Sequence, residues 1–81
     1  MKVKVKYFAV CHEMFGRDEE EMELPEGAVL KEILKRLEGR VPEFAEYYDV
    51  MRMAVNWEYA NETTKLSDGD EVALIPPVTG G

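Results

Sequence analysis

A single apolar stripe constrains the fold of this chain more than any other feature. Four residues share the spacing i, i+3, i+4 and i+7, with charged residues between them: Leu30, Ile33, Leu34 and Leu37. This spacing predicts an amphipathic helix over residues 28–39 that buries one face. Gly39 is the residue expected just past its end, and Pro42 prevents continuation. A lone helix with one apolar face needs a sheet to pack against.

The segment KVKVKYFAV, residues 2–10, predicts a β-strand with one buried face. Its side chains alternate between two faces: Val3, Val5, Tyr7 and Ala9 on one, and Lys2, Lys4, Lys6 and Phe8 on the other. Phe8 breaks the pattern, because it lies on the face that otherwise carries lysines. An apolar side chain in that position indicates a contact surface.

The remaining elements are predicted from apolar patterns and turn residues. They are a strand at 20–24 with Met22 and Leu24 inward, a helical turn at 42–49 that packs Phe44, Tyr47 or Tyr48, a strand at 51–56, a turn and short edge strand at 57–61, a turn at 67–70 and a strand at 71–75. The last strand, EVALI, is almost continuously apolar, as a central strand covered on both faces should be. The order predicts an α+β domain with one main helix and a mixed sheet of four or five strands.

Composition excludes several classes of function. The 81 residues suffice for one domain, and a net charge of −7 repels nucleic acid and anionic lipid while favouring a basic partner. The lone Cys11 permits neither an internal disulfide nor a multi-cysteine zinc site, and we interpret it as a small buried hydrophobe. His12 with Glu13 supplies too few ligands for a metal. With no signal peptide and no apolar run long enough to cross a membrane, a cytoplasmic protein is expected.

The last six residues, PPVTGG, predict an extended tail at 76–81 that follows a domain at 1–75. Pro76 and Pro77 cannot donate to a β ladder, so strand pairing must end there, and their fixed φ keeps the tail stiff. Val78 and Thr79 can then lie in a groove of a partner. Gly80 and Gly81 have no side chains, so they can enter a channel too narrow for other residues.

We expect the carboxylate of Gly81 to be the reacting group. An α-carboxyl group is ionised at neutral pH and inert toward nucleophiles, so it must first be activated, for example as an acyl-adenylate. The chain has no phosphate-binding loop of the G-x-x-x-x-G-K type, so ATP would be used in trans by another enzyme. No cofactor or metal is expected on this chain, and alone it should catalyse nothing.

Three stretches carry a resemblance to a known family. They are LSDGDEVALIPPVTGG at 66–81, KYFAVCHEMFG at 6–16 and MAVNWEY at 53–59. Together they resemble the small, sulfur-carrying subunit of molybdopterin synthase, over essentially the whole chain and in the expected order. That family has the ubiquitin-like β-grasp fold. Ala28 departs from it, because an N-capping Thr or Ser is common at that position.

The resemblance implies a carrier function and its partners. A homologue of the ubiquitin-activating enzymes, an adenylyltransferase, would adenylate Gly81, and sulfur transfer would then give a C-terminal thiocarboxylate. The large subunit of molybdopterin synthase would accept the tail, and the sulfur would become part of the dithiolene of molybdopterin. The pterin precursor would be reached only through that large subunit.

The resemblance also implies a docking patch on the open face of the sheet, formed by Phe8, Tyr59 and Ile75. Ala73 is expected at its edge. Trp57 is interpreted as a packed or half-exposed aromatic side chain rather than as a stacking platform.

Three other functions stay open on the sequence alone. The chain could supply sulfur for the thiazole of thiamine or for a tRNA base. It could be a ubiquitin-like modifier joined through Gly81 to lysines of other proteins, since an acyl-adenylate reacts with amines as well as with sulfide. It could also be an interaction domain with an idle tail.

Overall fold

A computed structural model of the chain describes residues 1–77 and gives the bounds of its elements. In chain order they are β1 (Lys2–Tyr7), α1 (Val10–Phe15), β2 (Glu19–Glu23), α2 (Leu30–Arg40), a 3₁₀ helix (Pro42–Tyr47), β3 (Arg52–Val55), β4 (Glu58–Ala60) and β5 (Glu71–Ile75). The predicted main helix, the predicted helical turn and all five predicted strands are therefore present.

The five strands form one mixed sheet in the order β2-β1-β5-β3-β4. The first and last strands of the chain, β1 and β5, pair in parallel at its centre, and every other pair is antiparallel. The α+β class with a mixed sheet is confirmed, and β4 is an edge strand as expected. The parallel β1–β5 pair brings the ends of both strands to the same edge of the sheet, where Phe8 and Pro76 follow them.

The core lies between α2 and one face of the sheet. The four residues of the apolar stripe are all buried there, together with Val3, Val5 and Tyr7 of β1 and Val72 and Leu74 of β5. Phe44 of the 3₁₀ helix is fully buried and closes one end of the core, as the sequence predicts for this turn. At roughly 1.5–3 kcal/mol for each large apolar side chain, this burial is the main source of stability.

The predicted first strand is too long. β1 ends at Tyr7, and the next residues turn into the short helix α1, which the sequence does not predict. The reversal occurs at Ala9, whose φ of 50° and ψ of −127° leave the extended region. Ala9 therefore does not continue the buried face of β1. Alanine carries no signal for this conformation, since glycine is the usual residue there.

The main helix is also shifted relative to its predicted bounds. It begins at Leu30 rather than Ala28, since Val29 is extended and forms a β-bridge with Lys65. At the other end, Gly39 lies inside the helix and Val41 ends it. The proposed role of Gly39 as the terminating residue is wrong. Pro42, which begins the next helix, enforces the stop.

Glu20 of β2 carries a charged side chain on the core face of the sheet, opposite Val5 of β1. Tyr7 donates a hydrogen bond to its carboxylate, and Arg40 and Arg17 donate to it at 2.5 and 3.2 Å. Burial acts to raise the pKa of Glu20, but these hydrogen bonds and the two guanidinium charges outweigh it and hold the pKa below its ordinary value. The cluster ties β1, β2 and the end of α2 together.

No helix within residues 1–77 is long and apolar enough to cross a membrane.

Candidate docking surface at the end of the central strands

The face of the sheet opposite α2 is open, and strand register defines which side chains it carries. Lys6 of β1 lies opposite Ala73 of β5, which lies opposite Ala54 of β3, which lies opposite Tyr59 of β4. Because residues directly opposite share a face, this row crosses the open side of the sheet. Phe8 and Ile75 lie on the same side, two residues beyond Lys6 and Ala73 along their strands.

Phe8 and Ile75 come together at the end of the two central strands. The Phe8 N–H donates a hydrogen bond to the carbonyl of Leu74, which extends the β1–β5 pairing to this point. Phe8 is 39% exposed and Ile75 is half-buried. They line a concave site of 390 Å³, called here the apolar hollow, which is formed by Phe8, Ala9, Trp57, Ile75 and Pro76. Phe8 is thus accessible to a partner rather than buried under the helix.

Tyr59 lies on the same open face but outside the apolar hollow. Its side chain is 77% exposed, and the guanidinium of Arg52 lies 5.6 Å from the centre of its ring. Arg52 is opposite Ile75, so it separates Tyr59 from the hollow. The structure therefore brings Phe8 and Ile75 together and places Tyr59 two strands away from Ile75, with Arg52 on the strand between them.

Trp57 covers more of this face than the sequence suggests. Its backbone lies beside the start of β5, where the neighbouring Asn56 N–H donates to the carbonyl of Glu71 at 2.7 Å. Its indole nevertheless lines the hollow at the other end of β5 and passes within 5.3 Å of the Lys6 ammonium. The ring thus extends along the sheet and is 65% exposed. Ala73 lies on this face two residues before Ile75 but is only 3% exposed, so it offers a partner little contact area.

Backbone strain occurs at both ends of the open face, at Ala9 beside the hollow and at the distant turn of Asn56 and Trp57. Within residues 1–77, three non-glycine residues have a positive φ: Ala9 at 50°, Asn56 at 51° and Trp57 at 67°. Asn56 and Trp57 form the tight turn between β3 and β4, where asparagine is common but tryptophan is not. Such conformations cost on the order of 1–3 kcal/mol each in residues with bulky side chains. Two of the three residues, Ala9 and Trp57, line the hollow.

The two prolines differ in their surroundings. Pro76 is fully buried and forms part of the hollow, whereas Pro77 is exposed. The chain is therefore packed against the domain as far as Pro76 and reaches the surface at Pro77. The predicted partner-binding residues Val78 and Thr79 and the predicted reactive residues Gly80 and Gly81 lie outside the described residues.

A second groove of 570 Å³ lies on the other side of Pro77, between α1 and the 3₁₀ helix. Its lining mixes apolar and charged residues, including His12, Glu13, Glu46 and the exposed Val50. The smaller hollow is the better docking candidate, because its lining residues are all apolar and it adjoins the predicted patch.

The residues that invite a chemical role have structural surroundings instead. Cys11 is completely buried, and burial raises the pKa of its thiol to about 11, so it is protonated and unreactive at neutral pH. The imidazole of His12 lies 2.8 Å from Asp18 at the surface. Within residues 1–77, no three His, Cys, Asp or Glu side chains converge as metal ligands would.

Comparison with known proteins identifies the family. The ThiS family matches residues 5–81. A molybdopterin synthase sulfur carrier subunit from Chlamydomonas reinhardtii is 39% identical, and the alignment covers 100% of both chains. The human protein of the same name is 34% identical over 99% of this chain and 94% of its own.

Solved structures share the fold over the whole domain. A Pyrococcus furiosus protein described as molybdopterin converting factor, subunit 1, is 42% identical with a TM-score of 0.84, covering 96% of this chain and 99% of that one. SAMP1 from Haloferax volcanii, a small archaeal modifier protein, is 28% identical with a TM-score of 0.87 and full coverage of both chains. A chain in the complex of subunits 1 and 2 of the molybdopterin-converting factor from Helicobacter pylori is 28% identical with a TM-score of 0.67, again over both chains in full.

These matches cover nearly the whole sequence, and the solved structures share the fold observed here with TM-scores of 0.67 to 0.87. The structural relatives have the ubiquitin-like β-grasp fold, which confirms the fold expected from the resemblance. On this evidence the chain belongs to the ThiS family, on a ubiquitin-like β-grasp fold.

Proposed function

We propose that this chain is the sulfur carrier of a molybdopterin synthase, holding sulfur as a thiocarboxylate on Gly81 for dithiolene formation. The observation that carries the proposal is its full-length similarity to molybdopterin synthase sulfur carrier subunits. The accessible apolar surface beside Pro76 supports it, since a carrier must be recognised next to the segment that it delivers.

The chemistry requires two enzymes besides this chain. The carboxylate of Gly81 attacks ATP on an adenylyltransferase related to the ubiquitin-activating enzymes, which releases pyrophosphate and forms an acyl-adenylate. A sulfur nucleophile then displaces AMP, and the thiocarboxylate results. This chain binds no cofactor in the proposed scheme, and ATP is held by the activating enzyme in the cytoplasm. A thiocarboxylate is a better nucleophile than a carboxylate, which is why the proposed route passes through it.

The domain contributes position rather than catalysis. Strand β5 is paired on both sides, by β1 and β3, so the start of the tail at Pro76 is fixed relative to the open face. A partner that binds Phe8, Tyr59 and Ile75 thereby receives the start of the tail at Pro76 in a defined direction. We propose the large synthase subunit as that partner and the pterin precursor as a ligand of that subunit alone. The Helicobacter pylori relative was solved as such a two-subunit complex.

The similarity to SAMP1 favours one second candidate, conjugation of Gly81 to lysines of other proteins. The same acyl-adenylate serves both functions, because an amine can displace AMP as sulfide does. The two candidates differ in the group finally joined to Gly81.

The intact mass of the protein purified from its own host, under conditions that protect thioacids, tests the proposal. We expect a species in which one oxygen is replaced by sulfur, with fragmentation locating the change at Gly81. A variant lacking Gly81 is the matched control and should show the unmodified mass. If the wild type contains only the carboxylate, with Gly81 otherwise in isopeptide bonds to lysines, the modifier function replaces the carrier function.

A further inference from the structure

We propose that Trp57 is a partner-contact residue, and that the apolar hollow beside it takes an apolar side chain of the large synthase subunit. This inference rests on the proposed function and adds to it a residue and a site. It extends the docking patch of Phe8, Tyr59 and Ile75 to the turn between β3 and β4.

The exposure of Trp57 is the first observation. Its indole is 65% exposed on a highly charged chain of net charge −7. Tryptophan is among the residues most enriched where proteins bind one another, so this exposure indicates a contact. The ring lies along the open face rather than pointing away from it, because it contacts both Lys6 and the hollow. Its contact area therefore adds directly to that of Phe8 and Ile75.

Backbone strain is the second observation. Trp57 adopts a φ of 67°, which glycine would adopt freely, and Ala9 across the hollow adopts a φ of 50°. Strain in non-glycine residues persists where the surroundings hold it, and it clusters at binding sites. Ala9 lies at the hollow itself, whereas the strained backbone of Trp57 lies at the other end of β5 and sets the direction in which the indole leaves the turn.

Lys6 holds the ring in place. Its ammonium lies 5.3 Å from the ring centre and 3.0 Å from Glu71 Oε1, so one half-buried lysine joins the indole to an ion pair. A ring that is already oriented loses less entropy when a partner covers it.

The lining of the hollow defines the chemistry of its occupant. Among its five residues only Trp57 has a polar side-chain group, the indole N–H, so an incoming charged group would lose water with little to replace it. An aliphatic or aromatic side chain meets no such penalty. The hollow is continuous with Phe8 and Ile75 of the proposed interface, which favours the large subunit over other occupants.

The test compares Trp57→Gly with a matched control, Val50→Ala, in the full-length chain. Glycine removes the ring and also relieves the strain of the positive φ. A purely structural role for Trp57 would show as a lower melting temperature of the variant, whereas a contact role would show as weaker binding. Val50 is 55% exposed in the other groove and controls for loss of an exposed apolar side chain. Binding to the purified large subunit is measured by calorimetry, and the melting temperature is measured in parallel.

We expect Trp57→Gly to weaken binding to the large subunit roughly tenfold or more, with an unchanged or higher melting temperature. Trp57→Phe should retain most of the affinity, and Val50→Ala all of it. Affinity of Trp57→Gly within twofold of wild type overturns the inference and leaves the proposed function standing. If Trp57→Gly weakens only binding to the adenylyltransferase, or only self-association of the chain, the hollow has another occupant and the inference is also overturned. Failure of the wild type to bind the large subunit overturns both proposals.

Discussion

Tyr7 on β1 donates a hydrogen bond to Glu20 on β2, and Arg40 at the end of α2 binds the same carboxylate. Tyr7 faces the core, so this contact places a negative charge at the border of the apolar layer. The carboxylate is stabilised because two guanidinium groups and a phenol surround it. The edge strand β2 is thereby joined to the helix as well as to its neighbouring strand.

We expect Glu20→Gln to destabilise the domain by about 1–3 kcal/mol at pH 7, since its hydrogen bonds involve charged groups. The pKa of Glu20 is lowered in the folded state, so its contribution is present above the unfolded value of about 4.3 and is lost as pH falls through the folded pKa. The gap in stability between wild type and variant should therefore be constant above about pH 5 and shrink below about pH 4.

Urea unfolding at several pH values measures this gap. Glu19→Gln is the control, because Glu19 lies on the open face in an exposed pair with Lys4 at 3.4 Å, and it should cost less than about 1 kcal/mol. An equal gap at pH 3 and pH 7 would contradict the assigned role of Glu20.

The second prediction concerns alkaline pH and Cys11. Burial raises the pKa of this thiol to about 11, so the folded state disfavours the thiolate. Its contribution is fully present below the unfolded pKa of about 8.5 and is lost as pH rises toward 11. Cys11→Ala should flatten the decline in stability between pH 8.5 and 10, whose slope reaches at most about 1.4 kcal/mol per pH unit for one group. Thiol labelling of the native protein should be slow at pH 7, and rapid labelling would show that Cys11 is accessible.

The third prediction concerns Phe8. Phe8→Asp should weaken binding to the large synthase subunit at least roughly tenfold, because it places a charge in an apolar contact. Its side chain is partly exposed, so the fold should survive, as circular dichroism would show. Val50→Asp introduces the same charge at an exposed apolar position outside the patch and should bind normally. Equal weakening by both variants would mean that net charge, rather than the patch, governs binding.

The fourth prediction separates the two prolines. Pro76→Ala should cost about 2 kcal/mol, since it removes buried ring carbons and lets the unfolded chain become more flexible. Pro77→Ala should cost less than about 1 kcal/mol, because Pro77 is exposed. Chemical unfolding of both variants measures the difference, and similar costs would show that Pro76 is not part of the core.

Much of the fold follows from local patterns in the sequence. Each pattern reflects one burial geometry: α2 has an apolar stripe, β1 alternates, and β5 is continuously apolar. Each predicted element is present. The helix α1 was not predicted, because the alternation runs past Tyr7 and nothing in Ala9 signals a positive φ. Gly39 shows the reverse case, where glycine near a helix end does not terminate the helix.

The candidate site was predicted only in part. Phe8 is detectable because it breaks the lysine face of β1, and its exposure agrees with that signal. Trp57 gives no such signal, since the path of its ring depends on the turn at Asn56 and on Lys6 from a distant part of the chain. Glu20 was likewise missed, because a half-buried carboxylate is recognisable only with its partners.

The central position of β5 has a consequence for synthesis of the protein. Without β5, the sheet separates into the β1–β2 and β3–β4 hairpins, which have no hydrogen bonds to each other. β5 is also the last of the elements described within residues 1–77, so both halves are synthesised before the strand that joins them. A chain stopped short of residue 75 should lack both a completed sheet and the end of β5 that carries the candidate docking surface. Under the proposed function, the residues to be activated are thus synthesised only after the strand that completes the sheet.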